Sequence, residues 1–359
     1  MEGALALAST PSRIPEQFLP HGENPSFDTL LAHRVRPMAR GHVVPISGIA
    51  GKDAYNPAVF TDHGRRLMAA RTESRSSDWN KPDTWNPQVR FFRADGHGGF
   101  APLPGAPVFD HHEDPFTAWI VDQAGRRQLL LGAVTLDRSG DAPVPITRFY
   151  MAPSAEQLDP SKPVAEVRGM KDGFRVIQLP DASLLVATRP ADGTVGKNVL
   201  GFLRLGRIEE LNADRVSRDS VLVDTHLRDD TFLALNDMRF LRDPATGKVY
   251  VGAIGVISRD RGADGGWNFA VTSWMIDLQS GRMTRPEVLA ERQDFPLGDP
   301  KAADLADVLF PGNVTDASAD TLQLWTGVSD SAVGVITIPD PFARLGLVRE
   351  SRLSPPLAA

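Results

Sequence analysis

The sequence predicts an all-β protein, a five-bladed β-propeller. Three observations lead there: almost no segment keeps apolar residues at helical spacing for three turns, five strand–turn–strand units recur, and a polar residue opens each unit. Glycine (31) and proline (29) are spread along all 359 residues. They divide the chain into short β-type runs.

The five units are "YNPAVFTDHGRRLMAARTE", "EDPFTAWIVDQAGRRQLLLGAVTLD", "KDGFRVIQLPDASLLVATRP", "NDMRFLRDPATGKVYVGAIGVI" and "DVLFPGNVTDASADTLQLWTGVSD". Their centres are "DHG", "DQAG", "PDA", "DPATG" and "DASAD", residue types that supply Asx turns or positive φ between two β runs. Each unit is therefore an antiparallel hairpin. The opening residues Asn56, Asp114, Asp172, Asp237 and Asp307 follow one another at intervals of 58, 58, 65 and 70 residues. A repeat of that length holds about four short strands, which is one propeller blade.

Five blades around a channel carry equivalent residues to one mouth, so these five side chains are expected to form a shared funnel. The plainer alternative is that Asp and Asn open strands because they favour turns. Residues 1–46 are expected to pack on or close the ring, 47–350 to form the catalytic propeller, and 351–359 to be a tail.

Composition narrows the function. With 39 basic and 45 acidic side chains the net charge is −6, and no long basic run marks a nucleic-acid binder. The chain has no cysteine, which removes disulfides and thiolate zinc sites and fits a reducing compartment. The start "MEGALALASTPSR" lacks the basic region of a secretory signal, and no apolar run approaches the ~18 residues of a membrane span. A cytoplasmic protein with no membrane or nucleic-acid partner is expected. Self-association is left open.

The chemistry concentrates in "FDHHEDPFTAWI", Phe109 to Ile120. Adjacent His111 and His112 would point to opposite faces of a strand and cannot easily share one ion, so no metal is expected there. Asp114 is either a turn cap or an acid beside Glu113, where a like charge and partial burial favour the protonated form. No strong GxGxxG or Walker signature is present, and no cofactor is expected.

The ordered set "YNPAVF", "HEDPF", "KDGFRVIQLPDASLLVATRP", "DVLFPGNV" and "LWTGVSDSAVGV" resembles glycoside hydrolase family 130, the five-bladed mannoside phosphorylases, and the related mannosyltransferase–phosphorylases of glycosyltransferase family 108. The resemblance runs from about Asn56 to Gly334. It implies that Asp114 is the proton donor of an inverting reaction, with inorganic phosphate attacking a mannosyl carbon from the opposite face. Arg71, Arg75 and Arg189 are the candidate phosphate ligands, since guanidinium forks suit phosphate oxygens. Asn56, Glu113, Asp172, Asp237, Asp307 and Asp330 are the candidate sugar contacts, and Trp119, Trp267 and Trp325 are candidate stacking faces.

Two residues depart from the family pattern. Phe116 follows "EDP" where arginine is frequent, and Thr188 stands where a histidine is usual. The expected substrates are an oligosaccharide or other glycoside and phosphate. An inverting hydrolase is the nearest alternative, with Asp237 or Asp307 as base; a glycan-binding propeller without catalysis is the other.

Overall fold

A computed structural model describes residues 18–19, 23–78, 81–140, 142–169, 173–189, 198–262 and 266–349. Five antiparallel sheets follow one another along the chain. Blade I contains Lys52–Asp62, Arg65–Ser74, Gln88–Ala94 and Phe100–Pro102. Blade II contains Glu113–Val121, Arg127–Asp137, Val144–Ala152 and Ala165–Arg168. Blade III is built of Arg175–Gln178, Leu184–Thr188, Val199–Leu205 and Val221–Asp224. Blade IV has the longest strands, Phe232–Arg242, Val249–Asp260 and Trp267–Asp277, with Arg282–Met283 and Glu287–Glu291 outside them. Leu309–Asp316, Thr321–Val328 and Ala332–Pro339 make blade V.

The first strands of blades I to V touch one another in sequence, and the first strand of V returns to that of I. This closes the ring of a five-bladed propeller. The fourth strand of blade V comes from the other end of the chain: His42–Val43 pairs antiparallel with Val335 and Gly334. Supplying the last blade's outer strand from an N-terminal segment ties the two ends of the ring together with backbone hydrogen bonds.

Side-chain alternation explains how the blades pack. Leu129, Leu131 and Ala133 face blade I, in a buried cluster with Leu67, Phe91 and Phe109. Leu130, on the same strand, faces blade III with Val186 and Leu203. In blade III, Leu185 and Ala187 turn the other way, to Trp274 and Ile257 of blade IV. Further clusters fill the IV–V and V–I interfaces. Each strand buried on both faces thus reads as a continuous apolar run. Truncating one such residue, for example Leu131→Ala, costs about 2–5 kcal/mol.

The hairpin turns follow the turn chemistry. Between the first two strands of blade I, His63 and Gly64 both have positive φ, 47° and 76°, as a two-residue type I′ turn requires.

Candidate active site

Four inner strands carry a β-bulge at an equivalent point. The register slips between Tyr55 and Ala58, between Glu113 and Phe116, between Leu235 and Asp237, and between Pro311 and Asn313. In blades I and II the bulge is an Asx–Pro pair. Pro57 and Pro115 cannot donate to the ladder, and Asn56 and Asp114 accept the left-handed conformation, at φ 48° and 51°, that Asn and Asp tolerate best. A bulge re-aims a side chain out of the sheet, and here it turns Asn56 toward Asp114: Asn56 Nδ2 donates to Asp114 Oδ1 at 2.8 Å.

Two glycines of blade V make room for this corner. A β-carbon on Gly327 would lie 2.2 Å from Asn56 Oδ1, and one on Gly312 would lie 1.6 Å from the Pro57 carbonyl oxygen. Neither position admits a side chain.

Arg71 binds the corner together. Its Nη1 reaches Glu113 Oε2 at 2.9 Å and Asp114 Oδ1 at 3.3 Å, and its Nη2 reaches Glu73 Oε1 at 2.9 Å. Burial disfavours its charge, but Glu113, Tyr55, Asp114 and Glu73 outweigh that and hold its pKa well above the ordinary value. Beneath it, fully buried Glu73 accepts from both Tyr55 and Lys301. Burial would raise the Glu73 pKa, yet Arg71 and Lys301 keep the carboxyl below its usual range.

Lys301 Nζ also donates to Tyr55 Oη at 3.2 Å. Asp330 completes the group from blade V, following Ser329, and both have φ 50°. Burial, the largest influence, and neighbouring Asp114 push its pKa up to about 6 against the pull of Arg71 and Lys301. Buried Arg292 anchors that turn by donating from Nε to Ser329 Oγ at 2.7 Å.

Asn56, Arg71, Glu113, Asp114, Lys301 and Asp330 line one cavity of about 730 Å³, together with Trp267, Phe269 and Phe310. Trp267 is 39% exposed, so its ring is open to a ligand. The other two candidate tryptophans are committed elsewhere. Trp325 is buried, with Nε1 donating to Thr315 Oγ1; Trp119 donates to the Thr61 carbonyl and is covered by Arg127.

The remaining sequence candidates fall in different places. Arg75 is at the cavity's rim, exposed and paired with Asp53 and Asp299 at 2.8 Å each. Arg189 stacks over the Phe232 ring at 3.7 Å and is not among the cavity's lining residues. Asp172 lies outside the described residues.

Asp237 departs from the funnel expected of the five openers. Its oxygens accept from the Met238 and Val314 backbone N–H groups at 2.8 and 3.0 Å, pinning blade IV to blade V, and it lines a separate cavity. The unpaired bulge residue of blade IV is Asn236, one position earlier, and Asp237 lines a cavity bounded by the inner strands of all five blades rather than the one that holds Asp114's charged cluster. Asp307 departs further: it is held by Arg261, its side chain is half exposed, and it lies outside the cavity. It precedes the inner strand of blade V and bridges Asn268 of blade IV. Of the five openers, Asn56 and Asp114 alone among the described residues reach the cavity.

The two histidines separate as their adjacency requires. The His111 ring stacks on Trp85 at 5.4 Å, while buried His112 contacts the Asp110 carbonyl and Tyr150 Oη through its two ring nitrogens. Burial lowers the His112 pKa.

A closed five-bladed propeller with a charged cavity at the bulged ends of its inner strands is the architecture of a group of carbohydrate-active enzymes. The chain belongs to the family described as Protein of unknown function (DUF1861), which it matches over residues 32–344. No curated protein matches it. Among solved structures it is similar to MPT-4, a mannose phosphorylase from Leishmania mexicana in complex with phosphate ion, at 26% identity and a TM-score of 0.73, over 92% of this chain and 96% of that one. It is also similar to MPT-1, a GDP-Man-dependent mannosyltransferase from the same organism, at 23% identity and a TM-score of 0.73, covering 88% and 94%. A β-1,2-mannobiose phosphorylase from Listeria innocua shares the fold at 12% identity and a TM-score of 0.52, covering 82% and 92%. The resemblance and the propeller read from the sequence are both borne out.

Proposed function

We propose that this protein is an inverting β-mannoside phosphorylase that transfers a mannosyl unit from a manno-oligosaccharide to inorganic phosphate and releases mannose 1-phosphate. The observation that carries this reading is the joint lining of one cavity by a bulge-borne carboxyl, Asp114, and two cations, Arg71 and Lys301. The neighbour at 26% identity, a mannose phosphorylase in complex with phosphate ion, supports it.

In this reading Asp114 is the general acid. Asn56 and Arg71 both donate to its Oδ1, so a transferable proton belongs on Oδ2. Arg71 and Lys301 hold the phosphate, with Arg75 at the rim; Arg189, stacked on Phe232, is the weaker candidate. Asn56 and Asp330 take sugar hydroxyls, Trp267 and Phe269 cover an apolar sugar face, and Glu113 orients Arg71. Arg71, Arg75, Lys81 and Lys301 line the cavity with Asp78, Glu113, Asp114, Asp304 and Asp330, so a protonated acid at Asp114 and a raised pKa of about 6 at Asp330 ease the approach of an anion. The catalytic unit is taken to be the whole propeller, 47–350, closed from the N-terminal side by His42–Val43; the segment 351–359 lies outside the described residues.

Hydrolysis is the second reading, favoured by Asp330: a carboxyl with a pKa of about 6 lies close to the range of an effective general base. Incubating β-mannobioses with and without phosphate separates the readings. Phosphate-dependent mannose 1-phosphate is expected. Phosphate-independent mannose would replace the phosphorylase by a hydrolase, and binding without turnover would make the protein a glycan-binding propeller.

A further inference from the structure

Behind Asp114 the cavity continues into a smaller notch of about 90 Å³, walled by Phe116, Phe174, Phe232, Phe269 and Phe310. Asp114, Phe269 and Phe310 belong to both spaces. Phe232, Phe269 and Phe310 are only partly buried, and one face of Phe232 is covered by the Arg189 guanidinium. The polar residues of the notch lie mainly at its junctions. Asp114 is shared with the main cavity, and Arg175 and Asn236 with the cavity beyond, leaving Thr147, among the described residues, as the one polar side chain elsewhere in its lining. Arg175 is occupied by backbone, since its Nη1 donates to the Phe174 carbonyl at 2.6 Å and its Nε to that of Asn236.

We propose that the sugar on the leaving-group side carries a methyl group in place of a free hydroxyl, as a methyl ether or a deoxysugar, and that this notch selects it. The inference rests on the phosphorylase reading for which sugar is meant: the notch adjoins the acid, and the acid serves the departing oxygen. A hydroxyl pushed among five phenylalanines gives up its water with few partners to replace it, which is costly, whereas a methyl gains contact with every wall. Size limits the occupant. A dry cavity of roughly 150 Å³ admits benzene; the notch is smaller, so it takes a methyl or slightly larger alkyl group and excludes an aryl ring or lipid chain.

The test runs the reaction toward synthesis, with mannose 1-phosphate as donor and mannose, 6-deoxymannose and mono-O-methyl mannoses as acceptors. At least one methyl-bearing acceptor is expected to exceed mannose in kcat/KM by about 10- to 200-fold, the range one methylene commands in a fitted apolar pocket. The 6-deoxy and methyl-ether arms tell which source of the methyl is used. In Phe232→Asn, which makes the wall polar, the ratio should fall toward one. Phe310→Tyr, which keeps the ring and adds one hydroxyl, should lower it in the same direction if Phe232→Asn does not fold.

Mannose reacting as well as every methyl-bearing acceptor overturns the proposal, as does a preference that survives in the folded variants. If no acceptor releases phosphate, the phosphorylase reading has failed. Calorimetric binding of the same free sugars then decides the notch alone: tighter binding of a methyl-bearing sugar by tenfold or more upholds it, and equal binding overturns it.

Discussion

The two walls of the cavity are built by opposite means. The polar wall, from blades I, II and V, depends on backbone exceptions: bulges at Asn56 and Asp114 and left-handed residues at Ser329 and Asp330. Its charges interlock, so Arg71 alone touches three carboxylates. The aromatic wall needs no exception. Trp267 and Phe269 are two apart on one regular strand and so share a face, and their rings meet edge to face at 5.8 Å. One wall is over-determined, as strained functional positions must be. The other can change one ring without disturbing its neighbours' charge balance, which makes the aromatic wall the natural place for substrate preference to vary.

The comparison breaks first at Asp114. Asp114→Asn keeps shape and most hydrogen bonds but removes the transferable proton, so turnover of a natural disaccharide should fall by about 10²–10⁴-fold, with the fold retained by circular dichroism. A nitrophenyl mannoside, if it is accepted, needs less help in departing and should lose far less. Full activity in the variant would return Asp114 to a structural role.

Glu73 measures how tightly the polar wall is locked. Glu73→Gln leaves Arg71 and Lys301 with one fewer counter-charge in a buried setting, and removing one partner of a buried pair typically costs about 3–5 kcal/mol. Denaturant unfolding should show that loss. A variant as stable as the parent would mean that the network contributes little to the fold.

A smaller effect is expected from Arg71→Lys. The ammonium is a point charge and cannot hold two carboxylates and an anion in one fork, so the phosphate KM should rise about ten- to a hundredfold, the worth of one or two charge-assisted hydrogen bonds. Lys301→Met should act in the same direction. If neither variant changes the phosphate requirement, the anion is held elsewhere and the hydrolase reading gains.

The two walls also differ in how far they could be read from the sequence. Turn chemistry gave away the hairpins, and Asn56 and Asp114 stood out as openers of their units; that each Asx–Pro pair makes a β-bulge emerges only from the strand register. In blade IV the opener read from the sequence, Asp237, stands one residue past the unpaired Asn236 because "LNDMRF" offers two adjacent polar residues, and one residue along a strand reverses the face. In blade V no Asx fills the bulge, which holds Gly312, so the polar contribution comes from Asp330 in the next turn and Asp307 was the wrong opener. Lys301 left no signal: it stands in "GDPKAADL", an irregular crossover between blades IV and V, and only folding brings it under Tyr55. The aromatic wall was partly legible, but nothing in an alternating strand distinguishes exposed Trp267 from buried Trp325.

The smallest effect sharpens the comparison through Asp330. Its folded pKa, about 6, is above that of an unfolded aspartate, about 3.9. Below the unfolded value the carboxyl is protonated in both states and costs nothing. Between the two values the folded protein keeps a proton that the unfolded chain has released, so stability falls as pH rises, and above about pH 6 the loss is complete and constant. Allowing for the residue's partial exposure, the loss is on the order of 1 kcal/mol. Asp137 and Asp159, both held down to about 2, add the opposite slope at lower pH, so the difference between the parent and Asp330→Asn is the quantity to measure. That difference should grow in favour of the variant from pH 4 to pH 6 and then stay level; a flat difference across that window would mean that Asp330 ionises as an ordinary surface carboxylate.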